Sequence, residues 1–600
     1  MLAVSLGACA PATPPPTREL IDVKGSAYER GLSHGTQLRS KIHSFYTTLL
    51  TNALFPYLSR EQPDIASFLP VYAGERFQNG QFAYQLLLDS AHAIEKSLPR
   101  AVHEELQGVA DGSGLSYDEV LVLNTFVDTV MAVRGVALAI RLTRAPQVES
   151  IEFVGVDHDG VDNDGDGVVD QPGEGTFSPW VPALAGQLVE VPTTTTIRMV
   201  LTDADGVDPA SLRVSLGDSL FTQGSDGLTI TSLSATRLEV VLATPLDAAS
   251  IDTLVISAGD LALRQQPPPV HESFMRTEEL VFTTSGAGLA PRDVLRPALN
   301  DGRTRPPGFA VGVRRSATQG AAAFLATDFA LLDANTSHKH TAIVRHQPDS
   351  GPAFATVGWA GMVIGLSGMN ANGVAYACSP SDTLDNSVVG SVFAQVADLT
   401  TATLTAKGTP IGFAGRKVLE TATDTASAVA VMKSLKHVYG WACTIEDAAG
   451  GLAAVETDSD IFNDGSGGVF PYAPEDRDAT GHTYSSVGAD DLITGSSFTK
   501  NVPDSPTLMI AGQRLVPQRS WSGFFFRSRR VMDAVARKLT AQYGSVTADS
   551  LQTLLSDPEV VDHSDSMNEV VFDLGRREIR AAMGTEPTSD SPFEITPVSP

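Results

Sequence analysis

The sequence predicts a layered α+β fold that is split by an all-β insertion. Residues 18–145 carry apolar side chains at helical spacing, whereas residues 179–287 consist of short, alternating, β-branched segments. Residues 306–590 then show strands, helices and a final strand pair. A chain of 600 residues exceeds what one hydrophobic core normally supports, so several domains are expected.

The composition is that of a folded protein with a strongly acidic surface. The formal net charge is -28, with 42% hydrophobic and 19% charged residues. Because this charge repels phosphates, no nucleic-acid partner is expected. The sequence contains three cysteines, which is too few for a disulfide scaffold. Whether Cys378 pairs with Cys443 cannot be decided from the sequence.

Residues 1–17 are interpreted as a lipoprotein signal and tether. A short apolar run ends in Leu6-Gly7-Ala8-Cys9, and a stretch rich in proline and threonine follows. This pattern resembles a bacterial lipobox, which implies lipidation of Cys9 and a place at the cell envelope, periplasmic or on the outer surface. Membrane contact is expected through the lipid anchor only. The alternative is a disordered tail with a chance cysteine.

Residues 18–145 are predicted to be mostly helical. Ser116 and Glu119 have the spacing of a capping box at the start of an apolar run. Two further series recur at helical spacing: Leu38, Ile42, Phe45, Leu49 and Leu50, and then Ala83, Leu87, Ala91 and Ile94.

The segment 146–178 is predicted to bind calcium as a structural ion. Its centre, DHDGVDNDGDGVVD at 157–170, interleaves carboxylates with glycine, and hard oxygen ligands at this density favour calcium over zinc. Gly173 stands where an EF-hand has its glutamate, so the segment resembles the aspartate-rich repeats of thrombospondin type 3. The alternative is an acidic linker without metal. The candidate ligands are Asp157, Asp159, Asp162, Asp164, Asp166 and Asp170.

Residues 179–287 are predicted to form an antiparallel β-sandwich. The order of its segments resembles bacterial immunoglobulin-like modules of the S-layer type, which implies a spacer or a surface for a protein partner. A polar linker, 288–305, follows it. The predicted strands are Thr196–Leu201, Leu212–Leu216, Leu228–Leu233, Arg237–Ala243, Thr253–Ser257 and Glu279–Thr283.

Residues 306–590 are predicted to contain most of the layered domain. The predicted strands are Phe309–Val313, Ala322–Ala326, Thr341–Val344, Phe354–Gly358, Val374–Ala377, Glu569–Asp573 and Glu578–Ala582. The predicted helices are Ala426–Ser434, Arg527–Tyr543 and Ala548–Leu555.

Six blocks on the two sides of the insertion carry a family resemblance. They are Gly25–Gly35, Glu105–Leu115 with Leu123-Asn124, Ala317–Gly320, Gly361–Gly373 (GMVIGLSGMNANG), Glu446–Glu456 and Phe524–Arg530. In this order they resemble the acyl-coenzyme A:6-aminopenicillanic acid acyltransferase family, also called the C45 peptidase family. The resemblance implies the αββα sandwich of N-terminal-nucleophile hydrolases and acyl transfer or hydrolysis at the amide bond of a small acylated substrate. It implies no catalytic cofactor.

Four residues are candidate site residues. Asn370 or Asn372, in the Gly-Met-Asn turn, could donate an amide N–H to a developing oxyanion, and the alternative is turn geometry alone. Arg527 could clamp a carboxylate, and the alternative is a surface arginine. Asp328 lies where the family carries an Asn-x-Asp segment, although the aspartate position of that segment falls on Ala330.

The cysteine that the family has at the start of the strand GFAVGV is missing. In the family, self-cleavage frees the α-amino group of this cysteine, which then serves as the base. The aligned position falls between Pro306 and Gly308, and no cysteine lies within sixty residues on either side. Thr304 is one replacement nucleophile. The other candidates are Ser316 and Thr318, and Cys378 and Cys443, with His338, His340, His346 and His482 as scattered histidines.

The sequence therefore leaves two functions open. One is an envelope-anchored amide hydrolase or acyltransferase of the N-terminal-nucleophile type. The other is a catalytically inactive relative that binds a ligand or partner. The family blocks favour the first, and the missing cysteine favours the second. A purely structural envelope protein, suggested by the sandwich alone, is a third interpretation.

Overall fold

The structure is a computed structural model, and it describes part of the chain. The described residues are 19–48, 81–129, 146–154, 176–177, 192–203, 206–216, 219–248, 251–261, 278–284, 308–330, 338–380, 408–457, 468–476, 491–494, 508–510, 513–515, 535–536, 538–558, 560–561, 566–585, 588 and 591–599. Several predicted residues lie outside them: Cys9, the six candidate calcium ligands, Thr304, His482 and Arg527. None of the described helices is long and apolar enough to cross a membrane.

The described helices flank the central sheets. Eight of them are, in chain order, α1 (Ala27–Gln37), α2 (Arg39–Phe45), α3 (Gln81–Glu95), α4 (Arg100–Ser113), α5 (117–129), α6 (Ile411–Thr421), α7 (Thr425–Lys433) and α8 (Ala548–Leu555). The capping box predicted before α5 is confirmed, because the Ser116 N–H donates to the Glu119 carboxylate at 2.7 Å and the Glu119 N–H donates to the Ser116 hydroxyl at 3.3 Å.

The strands fall into two groups along the chain. Those before residue 300 are β1 (Glu19–Gly25), β2 (Gln147–Val154), β3 (Thr176–Phe177), β4 (Thr196–Thr202), β5 (Val207–Leu216), β6 (Ser219–Thr222), β7 (Leu228–Ser234), β8 (Arg237–Leu242), β9 (Ile251–Asp260) and β10 (Glu278–Thr283).

The later group completes the sheets of the layered domain. Its strands are β11 (Phe309–Val313), β12 (Phe324–Ala330), β13 (Thr341–Pro348), β14 (Phe354–Trp359), β15 (Ser367–Asn370), β16 (Val374–Pro380), β17 (Trp441–Asp447), β18 (Leu452–Thr457), β19 (Val469–Tyr472), β20 (Asp491–Thr494), β21 (Leu508–Ile510), β22 (Gln513–Leu515), β23 (Ser566–Asp573), β24 (Glu578–Met583) and β25 (Glu594–Pro597).

Two sheets and two helical layers form a four-layer α/β arrangement. One sheet has the order β1-β13-β14-β15-β16-β17-β18-β19, and the other has the order β20-β11-β12-β23-β24-β25. Leu325 and Phe572 of the second sheet pack against Met369 of the first in a core between the sheets. Helices α1 to α7 cover the outer face of the first sheet, and α8 covers the outer face of the second. The predicted mixed, layered fold is therefore confirmed.

The strand β1 lies in the segment that was predicted to be mostly helical. Ile21 and Val23 are its buried side chains, which is too short an alternation to identify a strand. Its partner is β13, which runs parallel to it in a register that joins Ile21 to Val344. The pairing brings the start of the chain into the central sheet, across the insertion.

Residues 147–284 contain a second pair of antiparallel sheets. Their orders are β3-β2-β4-β8-β7 and β10-β9-β5-β6. Phe153, Met199 and Val240 from one sheet share a core with Val214 and Ile256 from the other. The strand β2 lies inside the segment 146–178 that was predicted to bind calcium. It pairs with β4, so the second pair of sheets begins before the acidic stretch.

Helices α1 and α4 cross with their backbones in contact. A Cβ atom added to Gly31 would lie 2.0 Å from the Glu105 carbonyl oxygen, and one added to Gly108 would lie 2.3 Å from the Tyr28 carbonyl oxygen. Gly35 and Gly112 are equally restricted one turn further along, with contacts of 2.4 Å. These glycines belong to the family blocks Gly25–Gly35 and Glu105–Leu115, so this helix crossing explains the pattern of these blocks.

A buried ion cluster joins this helix pair to the rest of the domain. The Glu105 carboxylate, 1% exposed, accepts from the Arg30 guanidinium at 2.8 Å and from the Arg416 guanidinium at 2.6 and 3.0 Å. The neighbouring His34 accepts from the Gly361 N–H at 3.0 Å, which requires an unprotonated Nε2. Burial, and then the charge of Arg416, lowers the pKa of His34 to about 4.

We expect His34 to make the protein sensitive to acid. In the unfolded chain a histidine has its ordinary pKa of 6.5, so that the unfolded state binds the proton first as the pH falls. The stability that a neutral His34 contributes is present above pH 6.5 and is lost as the pH falls towards 4. The full loss is on the order of 3 kcal/mol.

Urea unfolding between about pH 7.5 and 4.5 measures this loss, and His34→Gln is expected to show a shallower acid slope than the unmodified chain. Burial raises the pKa of Asp128 to about 7, so Asp128 also contributes to the acid slope. Its contribution is the same in both proteins, so the difference between their slopes reports on His34. His43→Gln, on the exposed face of α2, controls for the loss of an imidazole. Equal slopes for His34→Gln and the unmodified chain would contradict the expectation.

Candidate functional site

Gly308, which precedes β11 at the place where the family resemblance puts the nucleophile, has no space for a side chain. Gly308 has a φ of +77°, and a Cβ added to it would lie 2.1 Å from the carbonyl oxygen of Asp328. The close approach arises because β11 pairs with β12 in a register that joins Phe309 to Asp328. Any residue other than glycine would require the two strands to separate, so position 308 itself cannot carry a nucleophile.

A small cavity lies between the two sheets beside this strand start. Its volume is about 10 Å³, roughly the space that one buried water molecule needs. The Thr327 hydroxyl in its wall donates to the Phe309 carbonyl at 2.8 Å. The Asn568 Oδ1 and Trp359 Nε1 atoms are buried and have no hydrogen-bond partner among the described residues. The lining residues are Thr327, Phe329, Val357, Gly358, Trp359, Leu366, Ser367, Cys378 and Asn568.

Thr327, Trp359 and Asn568 were not identified from the sequence. Thr327 and Phe329 alternate with Asp328 along β12. This alternation is the one sequence pattern that indicates that they share a face of the strand. Asn568 lies on β23, opposite Phe329 in the pairing of β12 with β23. No local pattern indicated that this late strand pairs with β12 and lines the cavity.

The two cysteines of the core form a disulfide. Cys378 and Cys443 face each other across β16 and β17, with a Cα–Cα distance of 4.0 Å. Cys378 lines the cavity, but its sulfur is bonded to that of Cys443. Neither residue is the free thiol that a cysteine nucleophile needs.

The structure places Asn370 and Asn372, the predicted oxyanion donors, away from the cavity. The Asn370 amide donates to the carbonyls of Leu419 and Ala422 at 3.1 and 2.9 Å, and its Oδ1 accepts from the Val374 N–H. The Asn372 amide also donates to the Ala422 carbonyl. Both side chains hold the turn between β15 and β16 against the end of α6. This turn is at the opposite end of β15 from Ser367, which lines the cavity.

Asp328 lies beside the strand start, but its side chain belongs to the other face of β12. It accepts a short hydrogen bond from the Ser566 hydroxyl, whereas Thr327 and Phe329 line the cavity. Ala330, where the family resemblance puts an aspartate, ends β12 at a register shift. The strand therefore presents no carboxylate to the cavity.

Ser316 and Thr318 lie beyond the other end of β11. Arg315–Ala317 forms a short 3-10 helix after Val313, and the Thr318 hydroxyl donates to the Ala322 carbonyl at 2.6 Å. The structure therefore does not bring either hydroxyl to the start of the strand.

A buried carboxyl group from the block Glu446–Glu456 lies between the sheets near that far end. Glu446 Oε2 accepts from the Val313 N–H at 3.1 Å, and Oε1 has no partner among the described residues. Burial raises the pKa of Glu446 well above its ordinary range, so this group favours the protonated form. The block thus carries a structural contact between the sheets.

The predicted histidines do not form one cluster. His346 stacks on Phe354, with ring centroids 4.4 Å apart, and burial lowers its pKa. His338 lies in a 3-10 helix, His338–His340, and is buried. His340 Nε2 lies 2.9 Å from the Ser44 hydroxyl, outside the cavity. In the part of the chain that the structure describes, no group of three His, Cys, Asp or Glu side chains is arranged for a metal ion.

A model of the acyl-coenzyme A:6-aminopenicillanic acid acyl-transferase family matches residues 330–463. This range contains the blocks Gly361–Gly373 and Glu446–Glu456, and it spans β13 to β18 of the first sheet. A curated relative, protein dcd1A of Dictyostelium discoideum, is 30% identical over 119 residues, which is 19% of this chain and 25% of the relative. The match therefore spans a quarter of the length of that relative.

Two solved structures have low similarity to the chain. The Caenorhabditis elegans ortholog of N-acylethanolamine-hydrolyzing acid amidase has 9% sequence identity and a TM-score of 0.30, and the match covers 44% of this chain and 93% of that one. A mutant of conjugated bile acid hydrolase from Clostridium perfringens has 10% identity and a TM-score of 0.26, with 48% of this chain and 96% of that one covered.

Proposed function

We propose that this protein is an amide hydrolase or acyltransferase of the N-terminal-nucleophile type that acts on a small acylated substrate. The match of residues 330–463 to the acyl-transferase family model carries the proposal. The matched strands build one wall of the space between two sheets, and β11 begins at that space. In the family that the sequence resembles, the nucleophile begins this strand, so the proposal places the reaction at the start of β11.

The nucleophile of this proposal is Thr304. Gly308 cannot carry a side chain, and Thr304 is the only residue between 301 and 308 with a hydroxyl or thiol. In self-processing, the Thr304 hydroxyl attacks the Arg303 carbonyl, and the peptide bond to the Thr304 nitrogen is exchanged for an ester. Water then hydrolyses the ester, which releases the Arg303 carboxylate and leaves Thr304 with a free α-amino group.

The same hydroxyl then transfers the acyl group of the substrate. The α-amino group, with a pKa of about 8, takes the hydroxyl proton as Thr304 attacks the substrate carbonyl. The departing amine takes that proton, and an acyl ester remains on Thr304. Attack by water completes a hydrolysis, whereas attack by another amine completes an acyl transfer.

Self-cleavage at Thr304 is tested by intact mass and N-terminal sequencing of the purified full chain. We expect two fragments that separate after Arg303, with Thr304 as the new first residue. Thr304→Ala should abolish the cut, and Ser316→Ala, in the turn after β11, should leave it unchanged. A single uncut chain after prolonged incubation would overturn the mechanism, as would a cut that persists in Thr304→Ala.

A non-catalytic relative that binds a small acylated ligand is the second candidate. The Gly308 conformation favours it, because the strand start where the family has its cysteine admits only glycine. An uncut chain whose thermal midpoint rises with an N-acyl amino acid would support this candidate and exclude the first.

The proposal includes an envelope location and a structural calcium ion. The Cys378–Cys443 disulfide supports export, because disulfides persist in oxidising compartments such as the bacterial periplasm. The lipobox-like Leu6–Cys9 supports a lipid anchor, and the aspartates of 157–170 support calcium binding. The antiparallel sandwich that follows is proposed as an immunoglobulin-like module that contacts a protein partner.

A further inference from the structure

A second and larger concave site lies outside the cavity at β11. This cleft, formed by α1, α2, β1 and the 3-10 helix His338–His340, has a volume of about 510 Å³, within the range of small-molecule sites. Residues from both sides of the β-sandwich insertion line it. They are Glu19, Gln37, Leu38, Ser40, Lys41, Ser44, Thr48, Lys339 and His340.

The cleft contains a hydroxyl group and a base in hydrogen-bond contact. Ser44, on the last turn of α2, is exposed, and its Oγ lies 2.9 Å from His340 Nε2. His340 is 4% exposed, and its ring lies 5.5 Å from that of Phe45, which limits how far the imidazole can turn. In the tautomer with its proton on Nδ1, His340 accepts the hydrogen bond of Ser44. Nucleophile–base pairs need such a distance.

We propose that Ser44 is a nucleophile activated by His340, and that the cleft accepts acyl esters of small acids that carry a negative charge. Lys41 precedes Ser44 by three residues, so the two side chains share one face of α2, and Lys339 lies on the facing wall. Glu19, the only carboxylate among the described lining residues, is 3.4 Å from the Lys41 ammonium group. Two lysines against one glutamate make the cleft a cationic site on a strongly acidic protein.

The covalent step begins with the attack of Ser44 Oγ on the ester carbonyl. The hydroxyl proton moves to His340 Nε2, and the negative charge forms on the carbonyl oxygen. When the intermediate collapses, the bond to the alcohol oxygen breaks and His340 gives its proton to the departing alcohol. Water then attacks the acyl-Ser44 ester, His340 takes a proton from that water and returns it to Ser44 Oγ, and the free acid leaves.

A fluorophosphonate probe on the full chain tests the nucleophile. Ser44 Oγ should displace fluoride, and mass spectrometry of the digest should place the adduct on Ser44. Ser44→Ala should lose the adduct, whereas Ser40→Ala should keep it, because Ser40 lines the same cleft one helical turn earlier. His340→Asn should slow labelling by about 10²- to 10⁴-fold, the usual contribution of a general base.

A second pair of variants remains informative if His340→Asn weakens the fold. Ser44→Cys should react with iodoacetamide faster than Ser40→Cys does, because only the first thiol can give its proton to His340. For the substrate class, p-nitrophenyl hemisuccinate should be hydrolysed faster than p-nitrophenyl acetate, and the double variant Lys41→Ala/Lys339→Ala should lose this preference.

Equal labelling of Ser40 and Ser44, or equal alkylation of the two engineered thiols, would overturn the inference. An adduct on Thr304 instead of Ser44 would also overturn it, while supporting the proposed function. An adduct on Ser44 in a chain that is never cut would support the inference and contradict the proposed function, so the two can fail separately.

Discussion

Glu105→Ala is expected to destabilise the layered domain by about 3–5 kcal/mol, because it leaves two buried guanidinium groups without their shared carboxylate. The side chains of Arg30 and Arg416 are 7% and 3% exposed, so water cannot replace the lost partner. Arg416 would keep its contact with Glu420, which lies at 2.9 Å, but Arg30 has no second ion pair among the described residues. Urea unfolding at about pH 7.5 measures the loss.

The neighbouring residue provides a matched control for this prediction. Glu104 lies on the same helix and pairs with Arg100, but the Arg100 side chain is 92% exposed. Glu104→Ala should therefore change the free energy of unfolding by at most about 0.5 kcal/mol. If Glu104→Ala and Glu105→Ala changed the free energy of unfolding by similar amounts, the burial of the cluster would not explain the contribution of Glu105 to stability.

The position of Glu105 also explains why the cluster should matter for the whole domain. Arg30 comes from α1 and Glu105 from α4, both before the insertion, whereas Arg416 comes from α6, after it. The parallel pairing of β1 with β13 joins the same two parts of the chain through backbone hydrogen bonds. The two parts are thus held together by a sheet and by a charge cluster.

The features that the sequence predicted well have local causes. Phe309–Val313 and Ala548–Leu555 have the predicted bounds, because each has a complete apolar pattern and turn or capping residues at its end. The helix α6 was not predicted, since Gly412 and Gly415 lower its helix propensity. The structure shows the reason for these glycines: a Cβ atom on Gly415 would lie 2.1 Å from the Tyr376 ring.

Features that depend on distant pairings could not be predicted in the same way. The Cys378–Cys443 disulfide depends on the register between β16 and β17, and the contact of Ser44 with His340 joins residues 296 positions apart. Two expectations from the sequence stay predictions: a nucleophile position without a cysteine, and Thr304 as one of several candidate replacements. The reason that Gly308 cannot serve is the close approach of the Asp328 carbonyl, which depends on the pairing of β11 with β12.

Gly31→Ala should destabilise the domain by about 3 kcal/mol or more, although the change adds a single methyl group and raises helix propensity. The added Cβ would lie 2.0 Å from the Glu105 carbonyl oxygen and 3.0 Å from the Val109 nitrogen, both backbone atoms of α4. Backbone atoms cannot turn away as a side chain can, so α1 and α4 would have to separate along their whole contact. That separation would also move Arg30 away from the Glu105 carboxylate.

Gly114→Ala is the control that separates this clash from the loss of a glycine as such. Gly114 ends α4 with a φ of +84°, and a Cβ added there would have no atom within 4 Å other than those of Gly114 and its two chain neighbours. Its replacement should cost only the strain of a left-handed residue, about 1–2 kcal/mol. Urea unfolding of both variants measures the difference. If Gly31→Ala lowered the free energy of unfolding less than Gly114→Ala, the two helices could separate easily. The glycines of the opening block would then not be needed for this helix crossing.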